Sequence, residues 1–560
     1  MTRGRIGLFA WFRRHEWAFI GCLALMAFVL GFFGLRLQQG DPSDWSWLDA
    51  IYFAIRLFTF SFDLGGDGSD PYAVRPGNWP LQIARFLAPA TLAFAVVKAV
   101  MLAAASRYNL WRISRLTGHA VVCGAGERGR QLALALRSEG RDVVVIERDA
   151  DCDTLADIRA AGGRVVIGSV TDPTRQAEAR LDSAGIVVAV TSCVESNLQV
   201  VLAASRRHTA LPVHALAYAP RSFAAMFESQ PPFAHIEGGR ECGFFDHDAA
   251  AARLLVGTYA ADLAPTLLRE RRPPRILVAG DGDIVPELVG VIVSQCQYAD
   301  AGIPCVDLLT VDADAVAREI PLHHRQMPLV ADLRVRQMSL PQLLRVELRE
   351  AGARECAEPF DLAFVACQED VDTLSLARNL SQQEGCVAGT IVAGLRPSTQ
   401  LMRLFTVRQP MPGVALHDLV ALGCSADIVL REGLDEAARA IHESYLAGQL
   451  KAGRSVGETP ALVPWDDLPD GLRQANRAQA DHIPIKRRTL EVSRTEAVIA
   501  SLAEAEHRRW MAEKIVAGWR HADVRDDSRR LHPSIRPYKE LSQAEKSKDR
   551  DTVMAVLATG

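Results

Sequence analysis

Residues 121–129 read Val121-Val122-Cys123-Gly124-Ala125-Gly126-Glu127-Arg128-Gly129. An apolar strand that leads into glycines at this spacing is typical of the first turn of a dinucleotide-binding fold. The first glycine allows the tight turn, the second admits a pyrophosphate, and the third lets helix and strand pack closely. The apolar segment Asp142–Ile146 then ends at Glu147, about 20 residues beyond the glycines, where a ribose-binding carboxylate is expected. The sequence therefore predicts a Rossmann-type α/β domain.

A nucleotide site is expected at this turn, with NAD(H) or another adenine nucleotide as the cofactor. Its predicted residues are Gly124, Ala125, Gly126, Glu127, Arg128, Gly129, Glu147, Arg148 and Asp172. Because Arg148 lies beside Glu147, a phosphorylated or non-NAD ligand is the alternative. We see no histidine or lysine placed for hydride transfer, so we expect no enzyme activity. An NAD-dependent enzyme anchored to the membrane is the alternative.

Composition limits the remaining classes of protein. A chain of 560 residues is long enough for several domains that each bury a core, and a formal net charge of −4 does not favour nucleic acid. The 11 cysteines form no CxxC pair and no metal-like cluster, which is typical of reduced, buried side chains. We expect no nucleic-acid partner and no metal site.

Two apolar segments precede the glycine turn. Trp17–Leu35 contains no charged residue and is long enough to cross the hydrocarbon core, and no small-residue cleavage site follows it. The second segment is interrupted only by Arg85, Pro89 and Lys98. Arginines before the first segment and after the second place both termini in the cytoplasm. We predict a hairpin with spans at about 17–37 and 81–105, in contact with the lipid of the cell inner membrane.

The intervening segment, residues 45–65, reads WSWLDAIYFAIRLFTFSFDLG. It is too short and interrupted to cross the membrane, but apolar enough to enter it as a re-entrant helix. It resembles the pore loop of two-span potassium channels, with Trp47–Ala54 in the place of the pore helix. Thr59, Phe60, Ser61, Phe62 and Asp63 then occupy the place of the selectivity filter. The resemblance implies a pore made by several chains.

The filter departs from the usual TVGYG sequence. Ser61 and Asp63 replace glycines whose backbone angles aim carbonyl groups at the ion, and Arg56 adds a charge to the preceding helix. A ring of Asp63 carboxylates would favour cations in general. We therefore expect a cation pore with altered selectivity, and a pore loop that no longer conducts is the alternative.

The α/β pattern continues after the glycine turn. Arg164–Gly168 leads into Ser169-Val170-Thr171-Asp172, and Ala184–Val190 precedes Glu195-Ser196-Asn197. Over about residues 117–250 this succession resembles the RCK or TrkA-N family, the regulatory dinucleotide-fold domain of potassium channels and transporters. The family usually has Gly-Asp where this chain has Gly168-Ser169. The resemblance implies that nucleotides or ions gate a pore.

A second α/β series occupies about residues 251–445 and begins at Arg275–Asp283. Further strands are predicted at Cys305–Val311, Arg345–Leu348, Asp361–Ala366 and Thr390–Ala393. Its turn has Val285 in place of the third glycine, and Asp281 and Asp283 would repel a pyrophosphate. We expect a structural copy, with divalent-cation binding as the alternative. The family resemblance implies that four chains build an eight-membered gating ring under a homotetrameric pore.

Rare residues recur in order near the C-terminus, after a predicted linker at 446–464. They are Glu506-His507, Trp510, Gly518-Trp519, His532-Pro533 and Pro537-Tyr538. This set, within residues 465–560, resembles the RyR domain, a small helical repeat first seen in ryanodine receptors. Aromatic rings that can stack on a base, and arginines that can bind phosphate, suit a nucleotide-derived signal. The candidate ligands are Arg473, Asn476, His507, Arg508, Trp510, Trp519, His532 and Tyr538. In the alternative, His507 and Trp510 are core residues.

The order of the segments gives the expected architecture. A membrane two-helix hairpin with a re-entrant pore loop at 1–116 precedes tandem doubly wound α/β domains and a small, mainly α-helical RyR-like domain. The expected function is a homotetrameric, ligand-gated cation channel that senses a small-molecule nucleotide, and by analogy a stress or antiphage-defence effector. A non-conducting, membrane-anchored regulatory scaffold is the first alternative.

Overall fold

The computed structural model describes residues 16–38, 46–59, 77–206, 213–224, 226–227, 233, 240–348, 358–396, 411–430 and 434–558. The chain divides into two compact units, Met1–Arg112 and Ile113–Gly560. Helices and strands are numbered in chain order through both units. Phe60, Ser61, Phe62 and Asp63, the residues predicted to form most of the filter, lie outside the described residues.

The first unit is built from the helices α1 (Glu16–Gln38), α2 (Trp47–Arg56) and α3 (Trp79–Ile113). Two stretches, Trp17–Leu37 and Trp79–Met101, are long and apolar enough to cross a membrane. Helix α2 occupies the predicted pore-helix segment. It begins at a capping box in which the Ser46 hydroxyl accepts from the Leu48 N–H and the Asp49 carboxylate accepts from the Ser46 N–H, at 3.1 Å each.

Helices α1 and α3 run antiparallel and meet at small residues. Gly34 touches the first turn of α3, and the Asn78 side-chain amide donates to the Gly34 carbonyl at 2.7 Å. Near the other end of α1, the Lys98 ammonium lies 4.9 Å from the centre of the Trp17 ring. Ala27, Ala54, Ala84 and Ala88 are buried between the helices. Such small residues let two helix backbones approach closely.

We expect Gly34→Val to destabilise this helix pair by about 1–3 kcal/mol, as overpacking of a close contact does. A Cβ atom at Gly34 would lie only 2.6 Å from the Leu81 backbone nitrogen. The matched control is Gly21→Val on the same helix, where a Cβ atom meets nothing within 4 Å. The measurement is the thermal unfolding of the two variants in detergent. Equal unfolding temperatures would contradict the close packing at Gly34.

The second unit begins with a parallel six-stranded sheet, β1–β6. Its strands are Ala120–Cys123, Val143–Glu147, Arg164–Ile167, Ile186–Ala189, Val213–Tyr218 and Arg240–Phe245. The helices α4–α8 that connect them are Glu127–Ser138, Thr154–Ala160, Pro173–Glu178, Val194–Ser205 and Arg221–Ala224. The strand order is β3-β2-β1-β4-β5-β6. Because the order reverses between β1 and β4, a ligand crevice is expected outside their carboxyl ends.

A second parallel sheet, β7–β12, repeats this order as β12-β11-β10-β7-β8-β9. Its strands are Arg275–Ala279, Cys305–Thr310, Asp332–Gln337, Phe360–Val365, Val387–Leu395 and Val414–Asp418. The helices α9–α16 of this region are His247–Ala260, Ala264–Glu270, Val285–Gln295, Ala313–Glu319, Leu340–Leu344, Asp370–Ser381, Leu419–Gly423 and Ala426–Leu430. The tandem arrangement predicted from the sequence is confirmed. The strand predicted at Arg345–Leu348 is wrong, because helix α13 ends there in a buried loop.

The remaining helices lie at the C-terminus. They are α17 (Leu434–Lys451), α18 (Asp470–Asp481), α19 (Ile483–Val492), α20 (Glu496–Val516) and α21 (Gln543–Ala558), with the short strands β13 (Arg520–His521) and β14 (Leu531–His532). Met511 and Ile515 of α20 share one hydrophobic cluster with Ile276, Val278 and Ile292 of the second sheet region. The C-terminal helices therefore complete the core of the second sheet.

The two sheets are also joined through α15 and α16. These helices follow the last strand of the second sheet, but their buried residues Val420, Cys424 and Val429 pack with Leu132 and Leu136 of helix α4. The glycine turn and the second sheet are thus held in one packed body.

Candidate functional site

The glycine turn lies between β1 and α4, at the point where the strand order reverses. Gly124 has a positive φ of 101°, and a Cβ atom on Gly129 would lie 1.9 Å from the Gly124 carbonyl oxygen. Both positions therefore require glycine. Gly126 differs, because a Cβ atom there would meet nothing within 4 Å. Gly126 is exposed at the N-terminus of α4, so its backbone can be approached from outside the turn.

The turn is held in place by hydrogen bonds to Ala125. The Ala125 N–H donates to Glu147 Oε2 at 2.6 Å, and the Thr154 hydroxyl donates to the Ala125 carbonyl oxygen. Glu147 Oε1 accepts from the Asp149 N–H at 3.0 Å. Glu147 is half-buried at the end of β2, and Arg148 beside it is exposed. A ribose bound here would share the Glu147 carboxylate with the backbone of the turn.

Two of the predicted site residues have local roles. Glu127 pairs with Arg130 along helix α4, with Oε1 and Nη2 separated by 2.5 Å. Asp172 caps helix α6, where its carboxylate accepts from the Thr174 N–H at 2.8 Å. The structure brings Gly124–Gly129 and Glu147 together, whereas the Asp172 side chain is engaged by its own cap.

Asn197 was not among the predicted site residues, although it helps to shape this crevice. Its side-chain amide donates to the Thr191 and Tyr218 carbonyl groups at 3.0 and 3.1 Å, and its oxygen accepts from the Thr191 N–H at 2.9 Å. Asn197 is fully buried, so these bonds satisfy its polar atoms and fix the ends of β4 and β5 beside the glycine turn. A polar residue shortly after a continuous apolar strand was the only local sign of this role.

Arg128 points from the glycine turn toward helix α9. Its Nε atom lies 3.3 Å from His247 Nε2, and its guanidinium carbon lies 4.1 Å from the centre of the Tyr218 ring. Burial, together with Arg128 and Arg396, lowers the pKa of His247 to about 3, so the imidazole is neutral and Nε2 accepts from Arg128. This contact joins the first sheet to the helix that leads into the second.

A charged cluster continues from His247 into the second sheet. Arg396, after β11, donates to Asp248 Oδ1 at 2.9 Å and to Asp283 Oδ2 at 3.0 Å. Polar atoms of Asp246, His247 and Asp248 lie within 4.8 Å of one another. The Asp246 carboxylate caps α9, while Asp248 pairs with Arg396 and His247 faces Arg128. These residues fit a metal ion poorly, because two guanidinium groups already point at them.

The turn after β7 is filled by the chain's own side chains. A Cβ atom on Gly280 would lie 1.8 Å from the Ala366 carbonyl oxygen. Asp281 accepts from the Gln368 N–H at 3.1 Å, and Asp283 accepts from the Gln368 side-chain amide at 2.8 Å. These carboxylates disfavour a pyrophosphate at the second turn. Its structural role stays a prediction.

The aromatic residues predicted for the C-terminal site lie together. The ring centres of His507 and Trp510 are 5.7 Å apart, and those of His507 and Tyr538 are 5.8 Å apart. His532 lies 4.9 Å from Trp510 and 6.3 Å from Trp519. Burial and the nearby Arg525 and Lys514 lower the pKa of His532 to about 4, so its ring is neutral. His507 itself is buried, and its Nε2 atom lies 2.9 Å from the Arg536 carbonyl oxygen.

The polar candidates lie elsewhere. Arg508 donates to Gln297 Oε1 at 3.2 Å and to the Tyr298 carbonyl oxygen at 2.8 Å, so it contacts the second sheet region. Asn476 donates to the Leu472 carbonyl oxygen at 2.8 Å within α18, and Arg473 is buried. The predicted set therefore divides into an aromatic group that converges and polar residues that are engaged by the protein itself.

Beneath the aromatic group lies a buried charged network that the sequence did not reveal. Glu506 Oε2 lies 2.6 Å from the Lys486 ammonium, and Glu506 Oε1 accepts from Arg509 Nε at 2.9 Å. Burial alone would raise the pKa of Glu506, but Arg509 and Lys486 hold it well below its usual range. Burial lowers the pKa of Lys486 as well, and His482 Nδ1 lies 3.4 Å from Glu506 Oε2, so these side chains form one buried polar cluster among the C-terminal helices.

Within the described residues, the predicted pore segment extends as far as Thr59. The Thr59 hydroxyl donates to the Arg56 carbonyl oxygen at 2.9 Å, which closes the last turn. The Arg56 guanidinium lies 5.8 Å from the ring centres of both Tyr52 and Phe53. Arg56 therefore rests against the aromatic side chains of its own helix.

Two parallel sheets with this strand order define a tandem Rossmann-type protein that carries two membrane-length helices before the first sheet. Residues 120–229 match the TrkA-N domain, and residues 483–559 match the RyR domain. The RCK/TrkA-N and RyR resemblances noted in the sequence are confirmed by these matches.

Solved structures of the GsuK channel are also similar to this chain. The crystal structure of GsuK bound to ADP is 16% identical, with 73% of this chain and 95% of that chain covered and a TM-score of 0.37. The GsuK channel bound to NAD is 14% identical, with 76% and 84% covered and a TM-score of 0.39. The crystal structure of the GsuK RCK domain is 14% identical, with 58% and 79% covered and a TM-score of 0.38. With scores this low, the fold rests on the strand order and the domain matches.

Proposed function

We propose that this chain forms a nucleotide-controlled, potassium-channel-like cation channel of the cell inner membrane. The observation that carries the proposal is the open space at Gly126, which lies at the reversal point of a parallel sheet in a chain with two membrane-length helices. A free nucleotide enzyme has no need of those helices. A channel that senses a nucleotide needs both the nucleotide site and the membrane helices.

The glycine turn offers the chemistry that a dinucleotide requires. The free N–H groups at the start of α4 and the partial positive charge of the helix end favour a pyrophosphate. Arg128 lies in that first turn, and the Glu147 carboxylate can accept hydrogen bonds from ribose hydroxyls. NAD(H) and ADP are the first ligands to test. We propose that the bound nucleotide is a signal that the protein does not turn over.

The membrane unit would supply the conduit. Helix α2 begins at its capping box and ends before the predicted filter, as a pore helix does. Four chains would surround one pore, with both termini in the cytoplasm, and a ring of Asp63 carboxylates would favour cations. The rings of Trp510, Trp519, His532 and Tyr538, which lie around the buried His507, would take a second, nucleotide-derived signal by stacking. A role in stress or antiphage defence would follow from opening the membrane on such a signal.

Ion flux through the purified protein in liposomes tests the proposal. We expect flux under potassium and sodium gradients that changes by about tenfold or more with NAD(H), ADP or a cyclic nucleotide, which corresponds to a coupling free energy of about 1.4 kcal/mol. Chloride gradients serve as the selectivity control. Silence under every ligand from a tetrameric protein would favour the regulatory scaffold. Consumption of the bound nucleotide would favour the membrane-anchored enzyme.

A further inference from the structure

We infer that Arg128 and His247 form the contact through which nucleotide occupancy of the glycine turn is transmitted to the second sheet. The inference rests on the proposed nucleotide site and concerns the regulation of that same site. It assigns to His247 a role that no motif in the sequence indicates.

Arg128 lies between the glycine turn and His247. It lies in the first turn of α4, beside the open space at Gly126, so a phosphate there would be within reach of its guanidinium. In the structure its partners are instead the His247 imidazole and the face of the Tyr218 ring. A charge-assisted bond to phosphate is stronger than either of these contacts. A bound pyrophosphate would therefore draw Arg128 away from His247.

The His247 ring is neutral and accepts a hydrogen bond from Arg128. Since Nε2 accepts from Arg128, the neutral ring carries its proton on Nδ1. The side chain is 1% exposed, and Nδ1 has no hydrogen-bond partner among the described residues. The Arg128 Nε–H is therefore the hydrogen-bond donor that the structure shows at the imidazole. Loss of Arg128 leaves both ring nitrogens without a strong partner.

The start of α9, at His247, is connected to the second sheet. It is the first residue of α9, and its neighbour Asp248 is bound to Arg396, which in turn binds Asp283 in the turn of the second sheet. A Cβ atom on Gly423 of α15 would lie 2.1 Å from the His247 carbonyl oxygen. The start of α9 therefore cannot shift without moving α15 or the Arg396 cluster. A change at Arg128 reaches the second sheet by two routes.

Hydrogen–deuterium exchange of the full-length protein in detergent, with and without NAD and ADP, tests the inference. In the wild type we expect nucleotide to change exchange at the start of α9 and around Asp283. In His247→Phe we expect nucleotide to bind at least as tightly as to the wild type, because Arg128 no longer has to leave the imidazole to reach the phosphate, while the distant exchange change is lost. Arg128→Lys keeps the charge but not the Nε donor, and should bind nucleotide yet transmit weakly.

Arg137→Gln is the matched control. Arg137 lies at the far end of α4, where it donates to the carbonyl oxygens of Ala161 and Arg141, and its loss should leave binding and transmission unchanged. Nucleotide binding without an exchange change at α9 would overturn this inference alone, as would full transmission in His247→Phe. Absence of nucleotide binding to the wild type would overturn the proposed function together with the inference.

Discussion

Replacing Glu506 by glutamine is expected to lower the free energy of unfolding by about 3–5 kcal/mol, the typical cost of removing one partner from a buried ion pair. Lys486, Glu506 and Arg509 are each at most 3% exposed. The neutral amide would leave the Lys486 ammonium without its countercharge. Among the described residues, Arg509 would keep its ion pair with Glu513, whose Oε2 accepts from its Nη1 at 2.9 Å. Water cannot replace the lost carboxylate in so closed a site.

The measurement is a denaturation curve of the full-length protein in detergent, followed through the fluorescence of its tryptophans. Glu504→Gln is the matched control on the same helix, because its side chain is 40% exposed and lies 3.4 Å from Arg508. Because the Glu504 carboxylate is itself partly exposed, we expect its loss to cost less than the loss of the buried Glu506, at about 1 kcal/mol or less. Lys486→Met added to Glu506→Gln should recover part of the lost stability, since it removes the stranded charge. Similar losses for Glu504→Gln and Glu506→Gln would contradict a stabilising ion network.

Replacing Gly126 by leucine is expected to reduce nucleotide affinity by about 100-fold or more, equivalent to about 3 kcal/mol. The leucine Cβ atom would enter open space, and the φ of −59° at Gly126 suits any residue, so the fold should be retained. The side chain would occupy the place of the pyrophosphate. Isothermal titration with NAD and ADP gives the affinity, and thermal unfolding reports the fold.

Gly129→Ala is the contrasting variant. Its single added methyl group would lie 1.9 Å from the Gly124 carbonyl oxygen, so we expect a loss of folding of the first sheet. The two variants thus separate a glycine that the ligand needs from one that the fold needs. A Gly126→Leu protein that binds nucleotide as tightly as the wild type would place the ligand elsewhere.

The first sheet was predictable because its determinants are local. The glycines, the apolar strands and Glu147 lie within one short stretch, and their spacing alone defines the turn. Strand β9 was missed because Asp332–Gln337 reads DLRVRQ and lies at the edge of the sheet, where no continuous apolar run is needed. The apolar residues Val346 and Leu348 suggested a strand, but they fill the core from a loop.

The C-terminal site was predictable only in part. His507 and Trp510 fall on one helical face, so their contact follows from the helix period. The partners of Arg508, which are Gln297 and Tyr298, lie more than 200 residues earlier in the chain and follow from no local pattern. Arg128 and His247 are similarly distant in sequence, at a separation of 119 residues. Such contacts depend on how the two sheets pack, which the sequence pattern does not specify.

The shared core of α20 and the second sheet has a consequence for biosynthesis. Met511, Ile515 and Ile535 cover Ile276 and Val278, yet they leave the ribosome after the whole second sheet has been made. One apolar face of the nascent sheet therefore stays exposed until these residues have been synthesised. Transiently exposed surfaces of this kind bind chaperones or aggregate. A chain that stops before α20 would keep this face uncovered, so we expect the second sheet to need the last helices for a closed core.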